Sequence, residues 1–245
     1  MMKIMLDAGH GYNTPGQRSP DGMKEYEFNR AVALQARSML LNYQGVTVYF
    51  AHSDKNDVPL IQRTDFANSL AVDVYVSIHA NAFGNGSDWT EAEGIETFVH
   101  PSRPAEALEL AQKVQALLAA KTGLSDRGVK TADFHVLRES SMTAILLEAG
   151  FMTNKEEIKL LRSEFYRKTV AEAIVKALVQ QYKLKHKESA SESLTKTSEQ
   201  SSPGLPDHSE PSVLYRVQAG AFKDRKQAEK LAARLKKAGY EAFIF

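Results

Sequence analysis

The chain is 245 residues long, 43% hydrophobic and 25% charged, with a net charge of +1; these values exclude global disorder and nucleic-acid binding driven by overall charge. It contains no cysteine, which removes disulfide frameworks, thiolate metal sites and a cysteine nucleophile together. No apolar run approaches the roughly 18–20 residues of a membrane span, and the opening MMKIMLDAGHG lacks the apolar core of about 7–15 residues that a secretory signal needs.

In chain order, residues 3–6 read as a short strand that runs into a polar loop. Phe28, Val32, Ala36, Met39 and Leu40 keep helical spacing to a stop near Gly45. A strand is expected at 46–50, a helix at 60–70 and a buried strand at 72–78. Residues 95–99 read as a further strand and 105–120 as a helix that stops at Gly123. Another strand is expected at 144–147, and 156–182 reads as one long amphipathic helix. Strands alternating with helices predict an α/β fold, a mostly parallel twisted sheet with helices on both faces. The spacing does not give the order of the strands.

The composition changes at 183–212, where Ser, Glu, Lys and Pro dominate and Val, Ile, Phe, Tyr and Trp are missing. Such a stretch buries too little apolar surface to offset its ordering entropy, so a flexible linker is expected. Residues 213–245 beyond it hold eight Lys/Arg against three acids, leaving 23 basic and 27 acidic groups in the rest. A small basic tail beside a mildly acidic body suggests a targeting module tethered to a working domain at 1–182.

Three of the strand-like runs end alike: KIML leads into Asp7-Ala8-Gly9-His10-Gly11, VDVYVSI into His79-Ala80-Asn81, and AILL into Glu148-Ala149-Gly150. Ligands of open α/β sheets bind at the carboxyl ends of the strands, so His10, His79 and Glu148 are expected to meet in one crevice. Two histidines and a carboxylate suit a catalytic zinc site, which takes three protein ligands and keeps a position open for water. Glu25 and Glu27, at the start of the first helix, are both candidates for the third ligand, and a further carboxylate would be the general base. Spacing alone does not separate ligand from base. Glu148 in an apolar run needs a cation, a metal or a raised pKa, because a buried unpaired carboxylate costs several kcal/mol. Alternation places Glu96 on an exposed face. His52, His100, His186 and His208 fall in loops or linker and read as solvated, while His135 lies in an apolar stretch. Arg127 and Lys130, flanking Gly128, suit an anionic substrate, although exposed basic residues are usually just solvated.

The ordered set LDAGHG, KEYEFN, SIHANA, GIETF, RGVKTADFHVLRES and LLEAGFMTN resembles the zinc-dependent N-acetylmuramoyl-L-alanine amidases of bacterial cell walls, in particular the sporulation, mother-cell-lysis type. The resemblance covers residues 3 to about 180. It implies one Zn²⁺ held by His10, Glu25 and His79, with Glu148 as the catalytic carboxylate; Glu25 is matched because it stands four residues before Asn29. Ala8 stands where that family usually has Pro, which is expected to loosen the loop slightly. The tail at 213–245 resembles a β–α–β half of the SPOR domain, with Ala228, Leu231, Ala232 and Leu235 on one face of a helix at 225–238. A core of about 33 residues is rarely stable alone, so this half-repeat is expected to pair with a second copy, dock weakly or be a remnant.

The resemblance implies hydrolysis of the amide between N-acetylmuramic acid and L-alanine, with peptidoglycan glycan strand and stem peptide as partner, no nucleic acid, no membrane span and a monomeric working state. A phage-type endolysin of the same activity and a non-catalytic peptidoglycan-binding protein are the competing readings. The missing signal peptide places the expected enzyme in the cytoplasm of a mother cell or host until lysis.

Overall fold

The computed structural model describes residues 1–14 and 16–187, together with Glu229, Leu231 and Ala233. The elements run β1 (Met2–Ala8), α1 (Glu25–Leu40), β2 (Val46–Phe50), α2 (Leu60–Ser69), β3 (Val74–Asn81), β4 (Ile95–Val99), α3 (Ala105–Thr122), β5 (Asp126–Thr131), α4 (His135–Arg138), β6 (Thr143–Phe151), α5 (Glu157–Arg162) and α6 (Glu164–Tyr182). They build a six-stranded sheet of order β2-β1-β3-β6-β4-β5. Every neighbouring pair is parallel except β4 with β6, which is antiparallel. This is the α/β architecture the sequence predicts, with β4 and β5 running opposite to the other four strands.

The period-2 geometry of strands sends alternate residues to two unequal cores. Ile4, Leu6, Val74, Val76, Ile78, Ile95, Ile145 and Leu147 share the larger one with apolar residues of α1, α3 and α6. Met5, Tyr75, Ala144 and Leu146 share the smaller one with Ala67 of α2 and Val136 and Leu137 of α4. The smaller layer stops short of the carboxyl ends of β1 and β3. Beyond those apolar residues the same face carries Asp7, Ser77, His79 and Glu148.

Four boundaries differ from the sequence reading. β3 and β6 continue past their apolar runs, so His79 and Glu148 lie inside strands rather than beyond their ends. The ladder runs through backbone groups and passes His79 and Glu148 before a bulge near Asn81. β5 was not expected, because DRGVKT is mostly polar and is specified by its pairing to β4. The expected helix at 156–182 breaks at Ser163, whose backbone is extended; the Arg167 Nε satisfies the freed Leu161 carbonyl at 2.8 Å. α3 stops as expected at Gly123, which takes the left-handed φ of 69° typical of a helix C-terminus.

The chain divides into two units, Met1–Thr195 and Lys196–Phe245. In the first, residues 184–187 lie against the α1–β2 loop, where Gln44 N–H donates to the Lys185 carbonyl at 2.8 Å and Lys187 N–H to Asn42 at 2.8 Å. In the second, Glu229, Leu231 and Ala233 are helical. The rest of the expected linker and tail, including Ala228, Ala232, Leu235 and His208, lies outside the described residues. Among the described residues no helix is long and apolar enough to cross a membrane.

Candidate metal centre

Glu25 opens α1 and is buried with Asn29, Val32, Ala33 and Ala36 on the face turned to the sheet. That periodicity is why a carboxylate at a helix start ends up inside. Its two oxygens face two imidazoles: Oε2 lies 3.1 Å from His10 Nε2, and Oε1 lies 2.8 Å from His79 Nδ1. The ligand atoms of His10, Glu25 and His79 all fall within 4.8 Å of one another. Oε1 also accepts the Ala80 N–H at 3.1 Å and the Asn29 Nδ2 amide at 3.2 Å, while Oε2 accepts the Gln17 N–H at 3.1 Å. The rival candidate Glu27 is exposed and accepts the Lys24 N–H at the helix start instead.

Burial opposes ionisation of Glu25, yet His79 and the hydrogen bond to His10 outweigh it and hold the carboxyl well below the usual range. The same contact outweighs burial at His10 and raises that imidazole. The centre is packed without slack: a Cβ on Gly9 would sit 2.1 Å from the His79 ring, and one on Gly16 would sit 2.6 Å from His10 Cγ.

Glu148 is the Cα partner of His79 on β6 and of Glu96 on β4. Directly paired residues share a sheet face, so His79, Glu148 and Glu96 form a row across three strands. Glu148 Oε2 is sealed from solvent with no hydrogen-bond partner among the described residues. Burial, then the negative Glu25 and Glu96, push its carboxyl well above the ordinary value.

The His10 loop is held at every peptide group. Arg63 reaches up from α2, donating from Nη1 to Asp7 Oδ1 at 2.7 Å and the Ala8 carbonyl at 2.8 Å, and from Nη2 to the His10 carbonyl at 2.6 Å. Gly9 N–H donates to the Ile78 carbonyl at 3.0 Å, and Asn29 donates to the Gly9 carbonyl at 3.1 Å. These bonds fix His10 in a left-handed backbone (φ 65°), a conformation that costs a non-glycine residue about 1–3 kcal/mol. Ala8 N–H, which a proline would lack, donates to His52 Nδ1 at 3.1 Å, so Ala8 adds an anchor where loosening was expected.

Arg63 and Asp7 are both almost fully buried. Burial pushes the Asp7 carboxyl up, but Arg63, together with His79 and the Tyr75 hydroxyl, outweighs it and holds it below the usual range. The Arg63→Met variant strands that carboxylate and is expected to lose about 3–5 kcal/mol of stability, read from the denaturant midpoint. A loss below about 1 kcal/mol would contradict the role given to the pair.

Two sequence expectations are corrected. Glu96 is buried, 4% exposed, because its face of β4 is lined by β5 and β6 side chains rather than by water; Arg127, Lys130 and Asn81 all bond its carboxylate. His52 is buried beside Phe50 and Tyr26, and burial pulls it down to about 4. His135 Nε2 bonds Thr64 at 3.3 Å on the α2–α4 layer, outside the cluster. Arg63 and Asp7 gave no sequence signal, since their pairing spans most of the first half of the domain.

Comparison with known proteins gives two family matches. The Amidase_3 family, described as N-acetylmuramoyl-L-alanine amidase, matches residues 4–180, and the SPOR domain matches 169–245. The chain is similar to the N-acetylmuramoyl-L-alanine amidase CwlM of Bacillus licheniformis, 32% identical over 245 residues, covering 100% of this chain and 85% of that protein. It is 31% identical over 245 residues to a sporulation-specific N-acetylmuramoyl-L-alanine amidase of Bacillus subtilis, covering 100% and 84%. The catalytic domain of the amidase CwlV from Bacillus (Paenibacillus) polymyxa superposes with a TM-score of 0.69 at 33% identity, covering 76% of this chain and 100% of that one.

Proposed function

As a member of the N-acetylmuramoyl-L-alanine amidase family, to which this chain belongs, the protein is a peptidoglycan hydrolase of the cell wall, and we propose that it works as a one-zinc enzyme through His10, Glu25, His79 and Glu148. The observation that carries the reading is the His–Glu–His cluster beside a carboxylate oxygen with no hydrogen-bond partner among the described residues. Nitrogen and oxygen donors of this kind suit Zn²⁺, and Gly9 and Gly16 leave the rings the room they need. Zinc held by His10, Glu25 and His79 would polarise the scissile carbonyl and bring the pKa of water toward neutrality.

The protein groups supply the rest. Glu25 is fixed by Asn29, Gln17 and Ala80 and so aims both imidazoles at one point. Glu148 Oε2 takes the proton of the attacking water and returns it to the leaving alanine nitrogen. Burial raises this carboxyl above the ordinary range, the direction that favours holding the water's proton until it passes to the leaving nitrogen. The sporulation-specific relative favours a role in sporulation, within which we propose lysis of the mother cell, and we propose the monomer as the working unit.

The test is mass spectrometry of muropeptides after digestion of purified peptidoglycan, with and without a chelator. Free stem peptides beginning at L-alanine, abolished by the chelator and restored by zinc, are expected. Cleavage between stem residues, or release that survives the chelator, would overturn the reading.

A further inference from the structure

Arg127 and Lys130 are the two cations at the β5 edge of the row that begins at His79. Both donate to Glu96 Oε2, Arg127 Nε at 2.7 Å and Lys130 Nζ beside it. Glu96 itself is buried and is also fixed by Asn81 Nδ2 at 2.9 Å. Solvated surface cations have no such anchor. Arg127 is further pinned by its Nη1 bond to the Glu93 carbonyl at 3.2 Å and by the Phe151 ring 4.9 Å beneath its guanidinium.

The outer parts of both side chains stay open, 38% and 39% exposed. A guanidinium has five donors and an ammonium three, so each keeps donors beyond those bonds. The nearby Asp126 carboxylate is occupied by Gln115 and by the Gly128 N–H, and Glu93 Oε1 by Ser125. The result is two oriented, partly exposed cations on one buried anion, at the β5 end of the row that runs from His79 through Glu148 and Glu96.

Their distance from the chemistry selects what they hold. β5 lies two strands from Glu148, or about 10 Å at the usual strand spacing. An extended peptide covers about 3.3–3.6 Å per residue, so that gap spans roughly two to three residues. The glycan bears no charge near the scissile amide, whereas stem peptides carry free carboxylates.

Resting on the amidase reading above, we infer that Arg127 and Lys130 form a carboxylate subsite for the stem peptide, gripping a free carboxylate on the second or third residue beyond the scissile amide. Glu96 is the positioning residue that holds both cations in place. The subsite acts in binding and register and takes no part in proton transfer.

The test uses the zinc-loaded full chain and glycan oligomers whose second or third stem residue carries either a free carboxylate or a carboxamide. Amidation at the recognised residue is expected to raise KM about tenfold, as loss of a half-exposed charge-assisted bond should, with kcat changed less than about threefold. Lys130→Gln, which leaves Glu96 paired to Arg127, is expected to shrink that discrimination to within about threefold. Equal KM for all substrates, or discrimination undiminished in both Lys130→Gln and Arg127→Gln, would overturn the subsite. Failure of the wild-type chain to cleave the muramoyl amide in any of these substrates would instead overturn the amidase reading.

Discussion

Replacing Glu148 with Gln is expected to slow muramoyl-amide hydrolysis by about 10³-fold or more while zinc still binds at full stoichiometry. The size follows from the two jobs given to one oxygen, since positioned general acid–base groups contribute about 10²–10⁴-fold and Glu148 acts on both the water and the leaving amine. The selectivity follows from placement. Glu148 sits on β6 beside His79, while the His10–Glu25–His79 contacts close on one another without it. Glutamine keeps the volume and removes a carboxylate that has no bonded partner at Oε2, so the fold should tolerate it. Activity within about tenfold of wild type would remove Glu148 as the proton carrier. Loss of zinc from the variant would make Glu148 a ligand instead.

His79→Ala is expected to weaken zinc binding by more than about 100-fold, with activity lost in step. Even residues that only support a metal ligand change affinity by about 10–100-fold when mutated, and this change deletes a ligand atom. It also leaves Glu25 Oε1 without the ring 2.8 Å away, so the remaining carboxylate is less well aimed. His135→Ala is the matched control: it removes another imidazole whose Nε2 bonds Thr64, and zinc content should stay unchanged. Stoichiometric zinc in His79→Ala would take His79 out of the centre, and zinc lost equally from both variants would mean that metal reports only on folding.

The residues of the centre were legible because polar side chains interrupt apolar runs that otherwise specify strands. His10, His79 and Glu148 each follow such a run, and parallel strands carry them to the same end of the sheet. Family likeness singled out Glu25 over Glu27; the structure buries the first and exposes the second, because only Glu25 shares a helical face with Asn29 and Val32. Glu96 was misjudged since alternation states only that neighbours alternate, and not which face is dry. Its burial depends on β5, whose polar sequence carries no strand signal and which forms by pairing along β4. The Arg63–Asp7 pair and the His52–Ala8 contact join segments far apart in sequence, and nothing local to either partner marks them. The break at Ser163 has no sequence signal, because the apolar spacing on both sides of it is compatible with one helix.

The account stands most directly on one ion among side chains remote in sequence, and anomalous diffraction at the zinc edge from crystals of the full chain tests that. One peak bonded to His10 Nε2, His79 Nδ1 and a Glu25 oxygen, with Glu148 beside it but not bonded, is the predicted result. A peak elsewhere, a second ion of equal strength, or an imidazole turned away from the peak would contradict the account.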